Sequence, residues 1–130
     1  MAKNDITLLV VDDNIEQVNI LEKIFTKEGY AVRVASSGFD ALKIVESEDV
    51  NIVITDMSMP GMSGLKLLKQ IKDKKPGVEV IIITAFGEWG SYAEALKEGA
   101  YEFLNKPFKV DDIMNLVRGI ENKVRSKNKV

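Results

Sequence analysis

The sequence predicts a doubly wound α/β sandwich, in which helices cover both faces of a parallel β-sheet. The chain alternates five times between a short apolar run and a segment whose apolar residues recur at helical spacing. Two of the runs, IVIT at 52–55 and VIIIT at 80–84, are apolar on both faces, as the strands of a sheet covered on both sides must be. The length of 130 residues, of which 45% are hydrophobic, suits one domain with one core.

Each strand–helix unit has its own local signals. Strands are expected at residues 6–11, 31–35, 51–55, 80–84 and 101–104. Helices are expected at residues 14–28, 38–47 and 64–74, around 91–98, and at about 110–123. Asn14 and Ser37 are residue types that cap helix N termini, and Gly29 and the Pro76-Gly77 pair are stop signals. Right-handed crossovers between parallel strands then place helices on both sides of the sheet.

The residue types that are missing exclude several chemistries. The chain contains no cysteine and no histidine, which excludes disulfides, thiolate or imidazole metal ligands, and Ser-His-Asp or Cys-His catalysis. No apolar run approaches the roughly 18 residues of a membrane span. Residues 1–5 do not resemble a signal peptide, so we expect a cytoplasmic protein that does not enter a membrane.

The charge of the chain is unevenly distributed. The formal net charge is -2, yet residues 118–130 carry five bases against one acid, so the rest of the chain is mildly acidic. An acidic body lacks the basic face of a nucleic-acid-binding protein, and we expect no direct binding of nucleic acid. The basic end is either a solvated helix terminus, which the helix dipole favours, or the start of a linker. We therefore expect one domain at residues 1–123 and a basic tail or linker at 124–130.

Polar residues follow the strands at the edge of the sheet where such proteins bind ligands. In an open parallel sheet this edge lies outside the carboxyl ends of the strands. Asp12 and Asp13 follow the first strand, Asp56 the third and Lys106 the fifth, while Thr84 ends the fourth. A single acid after a strand is often a helix cap or a turn residue, and Asp13 alone fits that description as well. The convergence of five polar residues from four segments instead indicates a binding site.

This combination of residues suits phosphoryl transfer. Three carboxylates in one cleft repel one another, so either some of them are protonated or a cation lies among them. Oxygen ligands alone suit a hard ion, and Mg²⁺ fits a site with few carboxylates and a substrate phosphate. A metal, the amine of Lys106, the hydroxyl of Thr84 and a nucleophilic oxygen are the groups that the reaction requires. Asp56 is the candidate nucleophile, because carboxylates form aspartyl-phosphates.

Four motifs resemble one known family. VVDDN at 10–14, ITDMSMPGMSG at 54–64, ITA at 83–85 and NKPF at 105–108 occur in the order and at the spacing of the receiver domains of two-component response regulators. The resemblance covers nearly the whole chain. It implies a flavodoxin-like (βα)5 fold with strand order 2-1-3-4-5. Residues 84–108 are similar to receivers that are joined to ATP-dependent transcription activators.

The resemblance also implies a role for each site residue. Asp56 is implied as the phosphoacceptor, Lys106 as the phosphate-binding lysine and Thr84 as the switch hydroxyl. The implied ligands of Mg²⁺ are Asp12, Asp13, Asp56 and the backbone carbonyl of Ser58. The peptide bond between Lys106 and Pro107 is expected to be cis.

Further residues are implied to tune the switch. Phe103 stands where many receivers have a tyrosine, so it can fill a cavity but offers no hydroxyl, and it is equally compatible with an ordinary core residue. Ser58, Ala85 and Phe86 are implied to flank the paths of the phosphoryl group and of the hydrolytic water. Small Ala85 admits the phosphoryl group and bulky Phe86 slows hydrolysis, unless Phe86 merely caps the core. The loop at 87–90 (GEWG) is expected to move with the switch, whereas Trp89 alternatively packs on a neighbouring helix.

The favoured function is a phosphorylation switch that receives its phosphoryl group from a sensor histidine kinase or a phosphotransfer protein. Phosphorylation and dephosphorylation of itself would be its only catalysis, so it is not expected to be an enzyme. An output face on helix 4, strand 5 and helix 5 would serve a homodimer or an effector domain. The chain is then either a stand-alone regulator or the N-terminal part of a transcription regulator.

Three alternatives fit the residues less well. A phosphatase of the haloacid dehalogenase type would need a second aspartate where Ser58 stands. An FMN-binding flavodoxin-like protein would need a Ser/Thr/Gly-rich phosphate loop where Asp12 and Asp13 stand. A receiver-like module that is never phosphorylated would usually lack one of the acids or the lysine.

Overall fold

A computed structural model describes residues 5–85 and 89–127 of the chain. The strands are β1 (Thr7–Val11), β2 (Ala31–Ala35), β3 (Ile52–Asp56), β4 (Glu79–Thr84) and β5 (Glu102–Asn105). The helices are α1 (Ile15–Lys27), α2 (Gly38–Ser47), α3 (Gly64–Lys74), α4 (Trp89–Lys97) and α5 (Val110–Lys127). The predicted alternation is confirmed, and where the strand ends differ from prediction they do so by one residue.

The strands form one parallel sheet in the order β2-β1-β3-β4-β5. β1 lies between β2 and β3, with Leu8 paired to Val32 on one side and to Ile52 on the other. β4 then pairs with β3 and β5, also in parallel. The strand order 2-1-3-4-5 is therefore confirmed, and all five carboxyl ends point to one edge of the described sheet.

Each face of the sheet has its own core layer. Leu8 and Val10 of β1 are buried on one face together with Phe25 of α1 and with apolar residues of α5. Leu9 and Val11 are buried on the other face, against residues of α2 and α3 that include Leu67. Because successive side chains of a strand point to opposite faces, apolar runs such as these need helices on both sides. The doubly wound sandwich is confirmed.

Side-chain caps set where the helices begin after the functional loops. The Asn14 side-chain oxygen accepts from the N–H groups of Glu16 and Gln17, at 3.0 and 3.3 Å, and so starts α1 directly after the β1 loop. Ser37 caps α2 as expected, with its hydroxyl oxygen 3.1 Å from the Asp40 amide nitrogen. Ser63 caps α3 in the same way, a role that the sequence analysis did not assign. Each cap satisfies an N–H group that would otherwise lack a partner in the first turn.

The last helix is longer than predicted. α5 runs to Lys127 instead of ending at about residue 123. Its final turns are held to the body because the Glu121 carboxylate accepts a hydrogen bond from the Tyr30 hydroxyl at 2.6 Å. The same carboxylate pairs with Arg125 Nε at 3.0 Å, one helical turn further on. Part of the segment that was expected to be a tail is therefore the ordered end of α5.

The fourth helix begins earlier than predicted. α4 starts at Trp89, so the last two residues of the expected 87–90 loop are helical, while residues 86–88 lie outside the described part of the chain. Gly90 weakens a helix by about 1 kcal/mol relative to alanine but does not prevent it. Among the described helices, none combines the length and the apolar character needed to cross a membrane.

Candidate functional site

Three carboxylates meet at the carboxyl edge of the sheet. Asp12 directly follows β1, Asp13 is the next residue, and Asp56 is the last residue of β3. One carboxylate oxygen of each residue lies within 4.8 Å of those of the other two. Asp12 is buried, at 7% exposure, whereas Asp56 is partly buried and Asp13 is exposed. The cluster thus extends from the interior to the solvent.

The surroundings of Asp12 disfavour its ionised form. Burial raises the pKa of Asp12, and the negative charges of Asp56 and Asp13 raise it further. The Asn14 N–H group, which donates to Oδ1 at 2.9 Å, and the ammonium group of Lys106 act in the opposite direction without cancelling the shift. Asp12 is therefore stabilised by whatever neutralises it, either a proton or a cation.

Lys106 supplies the positive charge of the site. Its Nζ lies 3.3 Å from Oδ1 of Asp56, and the side chain is 35% exposed. The backbone N–H of Lys106 donates to the carbonyl of Thr84 at 2.7 Å, which joins the end of β5 to the end of β4. The predicted cis bond between Lys106 and Pro107 is confirmed. Asp56 therefore lies close both to two other acids and to an ammonium group.

Thr84 lies on β4, the strand beside Asp56, and Phe103 lies one strand further away, on β5. Asp56 is in register with Ile83, so Thr84 is one residue beyond it on the neighbouring strand, and it is fully buried. Phe103 is in register with Ile82 and is 5% exposed. It belongs to the core layer that also contains Ala95 of α4. In this structure Phe103 is thus a buried core residue on the side of the sheet that α4 covers.

The residues predicted to modulate the site lie on the loops after β3 and β4. Ser58, two residues after Asp56, is exposed, and so is Ala85, which directly follows Thr84. Phe86 lies outside the described residues. Ser58 and Ala85 are thus accessible at the edge of the sheet that carries the acidic cluster, and their modulating role stays a prediction.

Gly64 is a site residue that the sequence analysis placed only at the start of a helix. Its N–H group donates to the carbonyl of Met57 at 2.7 Å. A Cβ atom at this position would lie 2.2 Å from the carbonyl oxygen of Asp56. A glycine directly after a serine cap is a weak signal for such an approach, because it contributes poor helix propensity at that point. The first turn of α3 can rest on the backbone of Asp56 only because Gly64 has no side chain.

Two apolar grooves run along α1 and open near the acidic cluster. One, of about 510 Å³, lies between α1 and α5 and is lined by residues that include Ile20, Phe108 and Lys106. The other, of about 500 Å³, lies between α1 and α2 and is lined by Ile15 as well as by Asp12 and Asp13. Ile15 and Ile20 are 66% and 52% exposed. The apolar surface between α1 and α2 is thus continuous with two of the carboxylates, and the surface between α1 and α5 adjoins Lys106.

Comparison with known proteins identifies the family. A family model described as the response regulator receiver domain matches residues 8–118. This stretch is most of the chain and contains all four motifs. The chain belongs to the response regulator receiver domain family. The resemblance deduced from the motifs is thereby confirmed, together with a place in two-component signalling.

Relatives and solved structures of this receiver domain agree with the fold. Sporulation initiation phosphotransferase F of Bacillus subtilis is 39% identical over 111 residues, which cover 85% of this chain and 90% of that protein. The DNA-binding transcriptional regulator NtrC of Proteus hauseri is 38% identical over 108 residues, which cover 83% of this chain and 23% of that protein. A response regulator receiver domain protein from Clostridium thermocellum superposes with a TM-score of 0.87 at 33% identity, over 92% of this chain and 97% of that one. The chain thus spans about a quarter of the length of the transcription regulator it matches.

The acidic cluster of this receiver domain fits the metal that the family uses. Receiver domains bind Mg²⁺ at an acidic pocket, and they interact with histidine kinases or phosphotransfer proteins and with effector domains. The described cluster offers carboxylate oxygens alone, with no nitrogen or sulfur donor, as a hard cation prefers. The raised pKa of Asp12 indicates a carboxylate that a cation would stabilise. The residues present therefore suit Mg²⁺.

Proposed function

We propose that Asp56 accepts a phosphoryl group from a phosphohistidine on a sensor histidine kinase or phosphotransfer protein. The observation that carries the proposal is the position of Asp56, with Lys106 Nζ 3.3 Å from its Oδ1 and two further carboxylates within 4.8 Å. An oxygen of Asp56 forms the new bond to phosphorus while the bond from phosphorus to the histidine nitrogen breaks. The electron pair stays on the imidazole, which takes up a proton from solvent.

The other site residues act on the charge of the transferring group. When bound by Asp12, Asp13, Asp56 and the Ser58 carbonyl, Mg²⁺ supplies positive charge that neutralises phosphoryl oxygens. Lys106 pairs with Asp56 before transfer and is close enough to move its ammonium group onto the phosphoryl oxygens afterwards. Asp12 and Asp13 are anions and keep a phosphate away unless a cation is present. Phosphorylation is therefore expected to require the metal.

The surface around the site suits a protein donor. Ile15 and Ile20 expose apolar area on the two grooves that flank α1. The groove with Ile15 is also lined by Asp12 and Asp13, and the groove with Ile20 is also lined by Lys106. Contiguous exposed apolar surface rimmed by polar groups is typical of protein interaction sites. A donor that covers α1 would bring its phosphohistidine to Asp56 from the open edge of the sheet.

The response to phosphorylation is proposed to leave through α4, β5 and α5. A phosphoryl group on Asp56 offers the Thr84 hydroxyl a new partner, which favours the state in which Thr84 approaches the site. Phe103 lies on β5, next to the strand of Thr84, and packs on the side of the sheet that α4 covers. A shift of Thr84 therefore alters the space around the Phe103 ring. The proposed recipients of the signal are a second receiver or an effector domain, with residues 124–130 as the start of a linker.

The receiver is proposed to act on itself alone. Its reactions would be its own phosphorylation and dephosphorylation, with Ser58, Ala85 and Phe86 setting the access of water to the phosphoryl group. A phosphatase of the haloacid dehalogenase type needs a second acid two residues after the nucleophile, and Ser58 stands there. Turnover of added phosphate esters by the wild-type protein would contradict this limit.

Intact mass spectrometry tests the proposed phosphoacceptor. The protein is incubated with a small acyl phosphate donor and Mg²⁺, and the expected result is one phosphoryl adduct. The adduct should be lost in Asp56→Asn and in EDTA, and largely lost in Asp13→Ala. An adduct that persists undiminished in Asp56→Asn would contradict the assignment, and full labelling in EDTA would contradict the metal requirement.

A further inference from the structure

The buried hydroxyl of Thr55 is bonded to the backbone of the neighbouring Asp56. Thr55 is fully buried in β3, in register with Val11 on one side and with Ile82 on the other. Its Oγ1 donates to the carbonyl oxygen of Asp56 at 3.0 Å, and the Met59 sulfur is a second, weaker acceptor at 4.0 Å. The hydroxyl therefore bonds to the peptide that directly follows the proposed phosphoacceptor.

Packing alone does not explain a threonine at this position. Val11 and Ile82, the residues in register with Thr55, both belong to the apolar core layer, and so does Val53 two positions earlier on β3. Valine has nearly the same shape as threonine and needs no hydrogen-bond partner in such a layer. Burying a hydroxyl there is favourable only if the hydroxyl is hydrogen-bonded, and here the bond goes to Asp56.

The peptide between Asp56 and Met57 is held at both of its polar groups. Its carbonyl accepts from Thr55, and its N–H donates to the carbonyl of Ile83 at 2.7 Å. The following carbonyl, that of Met57, accepts from the N–H of Gly64 at 2.7 Å. The chain that leads to Ser58 is thus anchored to β3, β4 and the first turn of α3.

We propose that Thr55 is a positioning residue for the metal and phosphoryl site. The proposal rests on the function proposed above, in which the Asp56 carboxylate and the Ser58 carbonyl bind Mg²⁺. By fixing the plane of the peptide between them, the Thr55 hydroxyl sets the direction in which the Ser58 carbonyl and the Asp56 side chain point. Without that bond, the Asp56 carboxylate and the Ser58 carbonyl are still present as ligands, but their relative orientation is no longer fixed.

Three variants separate positioning from stability. Thr55→Val keeps the shape and removes the hydroxyl, Thr55→Ser keeps the hydroxyl, and Val53→Ala loosens the same core layer on the same strand without touching the loop. Mg²⁺ affinity is measured by calorimetric titration of magnesium chloride into chelator-treated protein. Thr55→Val should weaken binding about fivefold, which corresponds to one typical hydrogen bond of ~1 kcal/mol. Thr55→Ser and Val53→Ala should both remain within twofold of the wild type.

Amide hydrogen exchange in the metal-free protein gives a readout that does not depend on Mg²⁺. The amides of Met57 and Gly64 should exchange faster in Thr55→Val than in wild type, and Thr55→Ser should restore them. The proposal is overturned if Thr55→Val matches the wild type in both Mg²⁺ affinity and amide exchange. It is also overturned if Val53→Ala changes both quantities as Thr55→Val does. Wild-type protein that binds no Mg²⁺ contradicts the proposed function instead, and amide exchange then decides the role of Thr55.

Discussion

Replacement of Gly64 by alanine is expected to damage the phosphoacceptor loop more than the fold. The new Cβ would lie 2.2 Å from the carbonyl oxygen of Asp56 and 3.0 Å from both the Asp56 carbonyl carbon and Met57 Cα. All three atoms belong to the backbone, so no side chain can rotate away. Relief of the contact requires a shift of about 1 Å between α3 and the loop, judged against ordinary contacts of about 3.5 Å.

The magnitudes follow from two opposing effects. Forcing extra atoms into a packed site costs about 1–3 kcal/mol, and the better helix propensity of alanine offsets at most ~1 kcal/mol of this. We therefore expect the free energy of unfolding to fall by roughly 1–2 kcal/mol. A 1 Å misplacement of a reacting group can cost about 100-fold in rate, so phosphorylation should slow on the order of 100-fold.

Gly77→Ala is the matched control for this variant. A Cβ at Gly77 meets no atom within 4 Å, and Gly77 is not among the glycines with positive φ. Both variants are assayed by urea unfolding and by the rate at which a small acyl phosphate labels the protein. Gly77→Ala should behave as wild type in both assays. If Gly64→Ala is labelled within twofold of the wild-type rate, the contact does not position Asp56 and the reasoning fails.

Four further predictions concern protonation, stability, lifetime and output. Because burial raises the pKa of Asp12, protons compete with Mg²⁺ for this carboxylate. The Mg²⁺ affinity measured by calorimetry should therefore fall as the pH decreases from 8 to 4, and an affinity that does not change with pH would contradict this. A carboxyl whose pKa is raised by folding opposes folding once it is ionised, so this cost is relieved as the pH falls through the raised pKa. Asp12→Asn should therefore stabilise the metal-free protein against urea at pH 7 by roughly 0.5–2 kcal/mol, and an unchanged midpoint would argue against the effect. Phe86→Ala should shorten the lifetime of the phosphorylated form severalfold, followed by intact mass; unchanged decay removes Phe86 from the path of water. Mg²⁺ with beryllofluoride, which stands in for the phosphoryl group on Asp56, should change the fluorescence of Trp89 saturably. The change should vanish in Asp56→Asn and diminish in Thr84→Ala, whereas flat emission with demonstrable beryllofluoride binding excludes residues 87–90 from the switch.

Local patterns were sufficient for the elements, for the doubly wound architecture and for the membership of the acidic cluster, whereas the strand order 2-1-3-4-5 was implied by the resemblance to receiver domains. The five apolar runs, and the helical spacing of apolar residues between them, indicate which side chains are buried in each element. The period of the buried positions then distinguishes strands from helices. Asp12, Asp13 and Asp56 converge because the carboxyl ends of parallel strands share one edge, which is a property of the topology. Once the topology is predicted correctly, the residues that meet at the carboxyl edge of the sheet are therefore predicted as well.

Contacts between distant segments were decided by the tertiary structure. The end of α5 extends to Lys127 through Glu121, whose partner Tyr30 is 91 residues away in the chain. The contact of Gly64 with the Asp56 carbonyl depends on how closely the first turn of α3 approaches the end of β3. The elements, their order along the chain and the residue types at the sheet edge could be predicted, because they depend on hydrophobic period and residue type. Distances and contacts between distant segments could not, because they arise when packed elements settle against one another to within a fraction of an ångström.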